Sequence, residues 1–453
     1  MALEPELRRE RGDLRRQVLL LAWPAIVENL LHTMVGIVDT AMVGRLGASS
    51  LAAVGLGNQI FNIGLTVFAA LATGSTALVA RHIGAAEEEK AGDVARQSLT
   101  LGVFVAGSVL LILQLGAKNL LGLLFRRSEL VVLELGASYV RIVSSALIFN
   151  YFLIVINAIL RGAGDTKTPM RITALVNVIN IIGNVIFIYG VGFIPALGVA
   201  GAALGTAIAQ ASGGILAFIV LLKNEILRVR LADSFCPDLT IIRRIAKIGV
   251  PAGIEQGIMR VGQLFYTMVV SSLGTVAYAA HQVALNAESL SFMPGAGFAV
   301  AATTLVGQNL GAQRPGDAEE SGIITRNLAL LVMSTMGVIF FVMPQTLVAI
   351  FSRDPEVMVL AVVCLRLVAL AQPALAVWMV LAGGLRGAGD TKAIMKIVAV
   401  GFLTVRLGLA YALAIYFDYG LIGAWIAMVS DLFLRGFLIQ RRFSQGNWKT
   451  IRI

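Results

Sequence analysis

A helix needs about 20 apolar residues to cross the hydrocarbon of a bilayer. This chain offers twelve such runs, at about 17–43, 52–80, 95–116, 131–160, 168–190, 198–222, 241–271, 278–308, 324–351, 357–386, 393–416 and 421–440. Only short polar or Gly/Pro breaks separate them. Of the 453 residues 58% are hydrophobic and 14% charged, whereas soluble domains carry roughly 25% charged residues. A globule this poor in charge could not be covered by a polar surface. The expected fold class is an all-α integral membrane protein with twelve transmembrane helices.

The formal charge of +10 would suit a nucleic-acid partner if the basic residues formed a patch. They do not. With residues near span ends assigned to the adjoining loop, 26 Lys and Arg fall in the N-terminal tail, the even-numbered loops and the C-terminal tail, against 5 in the odd-numbered loops (Arg45, Lys118, Arg126, Arg127, Arg353) and 5 inside spans. That bias orients a polytopic protein with its basic loops in the cytoplasm. Both termini are expected there, the membrane is the inner (plasma) membrane, and no nucleic-acid partner is expected. Residues 1–16 are polar and run into a full span without a small-residue cleavage site, so the first helix should act as its own insertion signal. Cys236 and Cys364 fall in different halves, and His32, His82 and His281 are scattered. No disulfide framework or His-based metal site is expected.

The sequence is also duplicated. LRGAGDTK stands at Leu160–Lys167 and again at Leu385–Lys392, an offset of 225 (385 − 160). WPAIVE at Trp23–Glu28 matches VPAGIE at Val250–Glu255, and STALVARHIGA at Ser75–Ala85 matches ATTLVGQNLGA at Ala302–Ala312, both at 227 (250 − 23, 302 − 75). YVRIV at Tyr139–Val143 matches CLRLV at Cys364–Val368, and Thr206 matches Asp431, both at 225 (364 − 139, 431 − 206). Six spans per copy make a parallel repeat, an arrangement of transporters. The expected layout is a cytoplasmic tail at 1–16, an N-lobe at 17–222, a cytoplasmic link at 223–240, a C-lobe at 241–440 and a cytoplasmic tail at 441–453. The octapeptide lacks the strand and the GxxxxGK[ST] spacing of a phosphate loop. It is expected to end the fourth span of each half, with Gly-Ala-Gly as the turn and Asp-Thr capping the next helix.

Twelve spans in two halves carrying VDTAMVGRLG (Val38–Gly47), GSTALVARHIGA (Gly74–Ala85), both LRGAGDTK copies, AAHQVALNAESLSFMPGAGFAVAATTLVGQNLGA (Ala279–Ala312) and an Asn-rich fifth span resemble the multidrug and toxic compound extrusion (MATE) family. The resemblance implies a secondary active antiporter that exports organic cations or drugs in exchange for inward H⁺ or Na⁺, by alternating access of two lobes. Its wider superfamily includes flippases for lipid-linked sugars, the alternative reading. No clustered catalytic motif suggests an enzyme. A functional monomer in lipid, with small organic cations as substrates and no cofactor beyond the coupling ion, is the simplest expectation.

Ionisable groups at membrane depth are functional candidates, since leaving them there is costly unless they are paired or hydrated. Asp39 lies in the outer half of the first span. Asn177, Asn180 and Asn184 share a helical face by their spacing of three and four. One carboxylate with amide and hydroxyl oxygens suits Na⁺, and the carboxylate alone suits a proton; Asn clusters also serve as interhelical glue. The resemblance implies a cation site at Asp39, Asn180, Asn184 and Thr206. Some relatives carry Asp where this chain has Asn184, which leaves the ion open. Glu28 and Glu255 each follow a proline by four residues; Glu255 is either structural or a second-lobe proton or substrate site. Arg260, Glu288, Arg406 and Asp431 are expected to pair among themselves, with Arg406 or Arg435 as partner of Asp431. Tyr266, Met293 and Trp378 are candidates for lining a substrate site by stacking and cation–π contact.

Overall fold

The computed structural model describes residues 3–125, 129–229 and 236–453. Arg126, Arg127 and residues 230–235 of the inter-lobe link lie outside the described residues. Among the described residues fifteen α-helices follow one another: α1 (Leu3–Gly44), α2 (Ala48–Gly84), α3 (Glu88–Leu124), α4 (Leu130–Ser144), α5 (Leu147–Gly162), α6 (Lys167–Tyr189), α7 (Val199–Leu222), α8 (Leu239–Ser271), α9 (Thr275–Gly311), α10 (Pro315–Val342), α11 (Pro344–Ala349), α12 (Pro355–Gly387), α13 (Thr391–Val398), α14 (Leu407–Tyr411) and α15 (Gly420–Ser444). Turns of π-helix at Ala399–Arg406 and Ala412–Tyr416 join α13 and α14 into one span.

Ten of these spans are long and apolar enough to cross a membrane, and the α4–α5 pair makes an eleventh. The twelfth is α8, 33 residues long, whose hydropathy is held down by Glu255, Gln256, Arg260 and Gln263. The outward faces are what lipid requires. On α3, Phe104, Leu111 and Leu115 are 63%, 60% and 75% exposed and stack on one side of the helix, a surface that water would not tolerate at this extent.

The fourth span, expected to be continuous, is broken between α4 and α5 and bends by 57°. The hydroxyls of Ser144 and Ser145 donate to the carbonyls of Arg141 and Ile142, and Gln114 also donates to Arg141 O at 2.8 Å. Side chains that take helix carbonyls compete with the i→i−4 ladder. The polar start of the chain is helical too, since α1 already begins at Leu3.

The chain forms two compact units, residues 27–249 and residues 1–26 with 250–453. Their boundaries fall inside α1 and α8, beside Pro24 and Pro251. In the first unit the start of α8 lies on α2: a Cβ at Gly74 would stand 2.4 Å from Ile245 O, and one at Gly249 would stand 2.7 Å from Ala70 O. In the second unit the start of α1 lies on α9, where a Cβ at Gly297 would meet Ile26 Cγ1 at 2.3 Å. Each half thus receives the opening turns of the other half's first helix.

The duplication is visible atom by atom. Thr76 Oγ1 donates to Ala158 O and Thr303 Oγ1 to Gly383 O, both at 2.9 Å. Positive φ recurs at Gly47 and Gly274 (109° and 107°) and at Ala86 and Gln313 (56° and 59°). Each octapeptide is a helix stop. Asp165 N donates to Leu160 O and Asp390 N to Leu385 O, at 2.9 and 2.8 Å, with Gly164 and Gly389 at φ 95° and 85°: the six-to-one bond and left-handed residue of a Schellman turn. The expected Asp cap holds in the first copy, where Asp165 Oδ1 accepts from Thr168 N at 2.9 Å. In the second it does not, because Asp390 instead accepts from Arg442 Nε of α15 at 2.7 Å.

An L side chain in the left-handed region costs roughly 1–2 kcal/mol. Gly164→Ala and Gly389→Ala should each lower the thermal unfolding midpoint of the purified protein, whereas Gly36→Ala, with open space at its Cβ, should not.

Candidate functional site

In the first unit, α1, α6 and α7 bring together four residues that the sequence places far apart. Asn184 Nδ2 donates to Asp39 Oδ1 at 2.6 Å and to Asn180 Oδ1 at 3.1 Å. Asn180 Nδ2 in turn reaches Thr206 Oγ1 at 3.4 Å. The order Asp39–Asn184–Asn180–Thr206 is a single polar chain across three helices, with both amides buried and Asp39 half-buried. Close contact makes room for it. Gly183 and Gly205 lie backbone to backbone, and a Cβ at Gly205 would stand 2.3 Å from Asn184 Oδ1. That same oxygen is buried and accepts no hydrogen bond among the described residues. A buried polar atom is normally satisfied; here an unused amide oxygen lies in the same short chain as a carboxylate and a hydroxyl. A donor set of this kind fits a small hard cation, which takes oxygen ligands, and the carboxylate alone can take a proton.

Asn177 serves a different purpose from its neighbours. Its amide donates to Leu31 O of α1 at 2.8 Å. With Tyr189, whose hydroxyl donates to Met42 O at 3.0 Å, it fastens the C-terminal half of α1 to α6 on either side of Asp39. Sequence reading missed two residues here. Buried Tyr139 donates to Asn58 Oδ1 at 3.0 Å and lies beside Thr206. The available signal was Tyr139 standing where the second copy has Cys364.

The repeat-related carboxylates are both paired. Glu28 binds Arg161 at 2.8 Å and Glu255 binds Arg386 at 2.5 Å. Each arginine is the second residue of an LRGAGDTK copy, so the octapeptide's cation serves the acid that follows the proline of the first helix in each half. Glu255 is 1% exposed and its second oxygen has no hydrogen-bond partner among the described residues.

In the second unit Asp431 is fully buried and gripped bidentately by Arg435, Nε at 2.8 Å and Nη2 at 2.7 Å, with Arg406 Nη1 at 3.9 Å. Both expected partners are therefore present. Glu288 lies within electrostatic reach of Arg406. Arg260 does not join them; it is exposed and makes no ion pair among the described residues. Tyr266 is fully buried, its hydroxyl on Ala424 O at 2.9 Å and its ring 4.7 Å from the Arg406 guanidinium. Trp378 lies 5.0 Å from the Arg435 guanidinium, and Met293 is half-buried. His281 is enclosed between Tyr266 and Trp425, and neither ring nitrogen has a hydrogen-bond partner among the described residues. A lone histidine in the sequence gave no sign of that setting.

The model of the MatE family matches twice, over residues 24–186 and 251–412, each match beginning at the proline of a half's first helix. The chain belongs to the MatE family. A probable multidrug resistance protein NorM of Thermotoga maritima is 34% identical over 97% of this chain and 94% of its own length. A crystal structure of a MATE in complex with MaL6 superposes with a TM-score of 0.88 at 25% identity, covering 96% of this chain and 98% of the other. A MOP superfamily transporter from Pyrococcus furiosus shares the fold at TM-score 0.87 and 24% identity, over 96% and 97% of the two chains. This MatE chain is thus a multi-pass membrane protein of two repeated six-helix halves, in a family of small-molecule transporters rather than a class of enzymes.

Breaking a buried ion pair costs roughly 3–5 kcal/mol, less here because Arg386 keeps about a quarter of its side chain exposed. Glu255→Gln should therefore lower the unfolding midpoint, and adding Arg386→Met should recover most of the loss. If Glu255 instead carried protons for transport, the double variant would regain stability without regaining flux.

Proposed function

We propose that this MatE protein is a secondary active antiporter that exports organic cations, drugs among them, in exchange for inward H⁺ or Na⁺. The coupling site is Asp39, Asn180, Asn184 and Thr206. The observation that carries this reading is the pairing of Asp39 with the neutral amide of Asn184, together with that residue's unused oxygen. A carboxylate held this way stays free to accept a cation; one held by arginine does not. The protein works as a monomer in the inner membrane, with both termini cytoplasmic, by alternating access of its two lobes.

Coupling runs through α1. Pro24 interrupts its hydrogen-bond ladder three residues before the chain passes into the unit that holds the coupling site. Beyond that point α1 is held by Asn177, Asn184 and Tyr189. Two of these bonds go to backbone carbonyls and do not change with ion binding. Only the bond at Asp39 does. Proton or Na⁺ binding there replaces a charge-assisted bond and re-sets the outer half of α1, while the cation and the drug each favour a different state of the same equilibrium.

The test follows flux of a fluorescent organic cation into proteoliposomes, under an imposed pH gradient and separately under an imposed Na⁺ gradient. One gradient should drive flux, and Asp39→Asn should abolish it with insertion and melting behaviour intact. Most of the flux surviving in Asp39→Asn would remove the site assignment. Absence of gradient-driven flux for every organic cation tried would turn the reading to a flippase of lipid-linked sugars.

A further inference from the structure

The repeat allows the coupling site to be traced into the second half. The offset of 227 carries Asp39 to Tyr266 (39 + 227), and the offset of 225 carries Asn177, Asn180, Asn184 and Thr206 to Phe402, Val405, Leu409 and Asp431. The neutral oxygen donors have gone, replaced by aromatic and aliphatic groups, and a carboxylate stands where the hydroxyl was. That carboxylate has cations of its own. Asp431 is gripped by Arg435 on two atoms and approached by Arg406. The Arg406 guanidinium lies 4.7 Å from the Tyr266 ring centroid and 4.6 Å from that of Phe402, and Arg435 lies 5.0 Å from Trp378.

A carboxylate and aromatic faces around a planar cation are the elements by which proteins bind organic cations. Here the cation is part of the chain. The backbone is shaped for it as well: a Cβ at Gly401 would stand 2.5 Å from Asp431 Oδ1 and 2.6 Å from Arg435 Cγ. The span that supplies Gly401 and Arg406 is π-helical at that stretch, which shifts its side chains relative to those of α6 in the other half. Arg435 stands one turn from Asp431 on α15, so it is tethered on the same face.

We propose that the second half holds a cation site filled permanently by the guanidinium groups of Arg435 and Arg406, and that the protein therefore exchanges coupling ions at one site per chain, not two. The first clause stands on the second unit alone; the second rests on the coupling site proposed at Asp39. Emptying the filled site creates one that takes small guanidinium compounds.

Two measurements test this. Arg406→Leu with Arg435→Ala leaves Asp431 without a cation, and its melting temperature should fall. Millimolar methylguanidinium should restore most of that loss, because binding to the folded state alone stabilises it. It should do nothing for wild type, nor when Asp431→Asn is added. Stabilisation of wild type that disappears with Asp431→Asn would show the site open and overturn the proposal, as would equal response of all three forms. Should the arginine-deficient variant not fold, the charge-neutral pair Asp431→Asn with Arg435→Met decides. In proteoliposomes it should keep the wild-type number of ions exchanged per substrate, and a drop in that ratio would overturn the proposal. Asp39→Asn, run alongside, fails separately: if it keeps its flux, the coupling assignment is lost while methylguanidinium rescue still reports on the filled site.

Discussion

A carboxylate within the hydrocarbon must find a compensating group, and in this protein the kind of group that compensates it differs from one carboxylate to the next. Glu28, Glu255 and Asp431 are each held by an arginine, and Asp390 at a helix end is held by another. Such pairs are self-neutralising, and breaking them is expensive. Asp39 is different. Its partner is a neutral amide, a contact that leaves the carboxylate's charge unneutralised. The contrast needs no difference in depth or helix type, only a difference in what the facing helix supplies.

The scaffold around that carboxylate depends on helices meeting without side chains between them. Gly183 against Gly205, Gly162 against Thr76 O and Gly387 against Thr303 O are contacts that a methyl group would block. In lipid there is little hydrophobic force to press helices together, so close backbone approach and interhelical hydrogen bonds carry more of the association. Thr76 and Thr303 supply those bonds at equivalent points of the two halves. The repeat therefore preserves the joinery of each half even where it has changed the chemistry between them, as at Thr206 and Asp431.

Exchange of helix starts between the halves follows from the same economy. The opening turns of α1 and α8 each lie with the half they do not begin, and both helices contain a proline beside the crossing point. The arginine of each octapeptide then holds the acid one turn past that proline. A helix weakened in its ladder at one point and pinned just beyond it can bend at that point without losing its register.

Much of this was legible in the linear sequence because hydrophobicity and charge are local properties. Run lengths count spans, and an offset of 225 to 227 exposes the duplication with its turns and glycines. The spacing of Asn177, Asn180 and Asn184 put them on one face. It could not show that Asn177 would be spent on Leu31 O while Asn184 faced Asp39, since that depends on how α1 lies along α6. Nor could it break the fourth span at Ser144, assign Glu28 and Glu255 to the octapeptide arginines, or take Asp390 from its cap to Arg442. Composition and periodicity determined a duplicated membrane bundle with a few charges inside it. Which charge met an arginine and which met an amide was decided only by packing, because in a low-dielectric interior a charge's role is set by the groups within a few ångströms of it, and those come from distant parts of the chain.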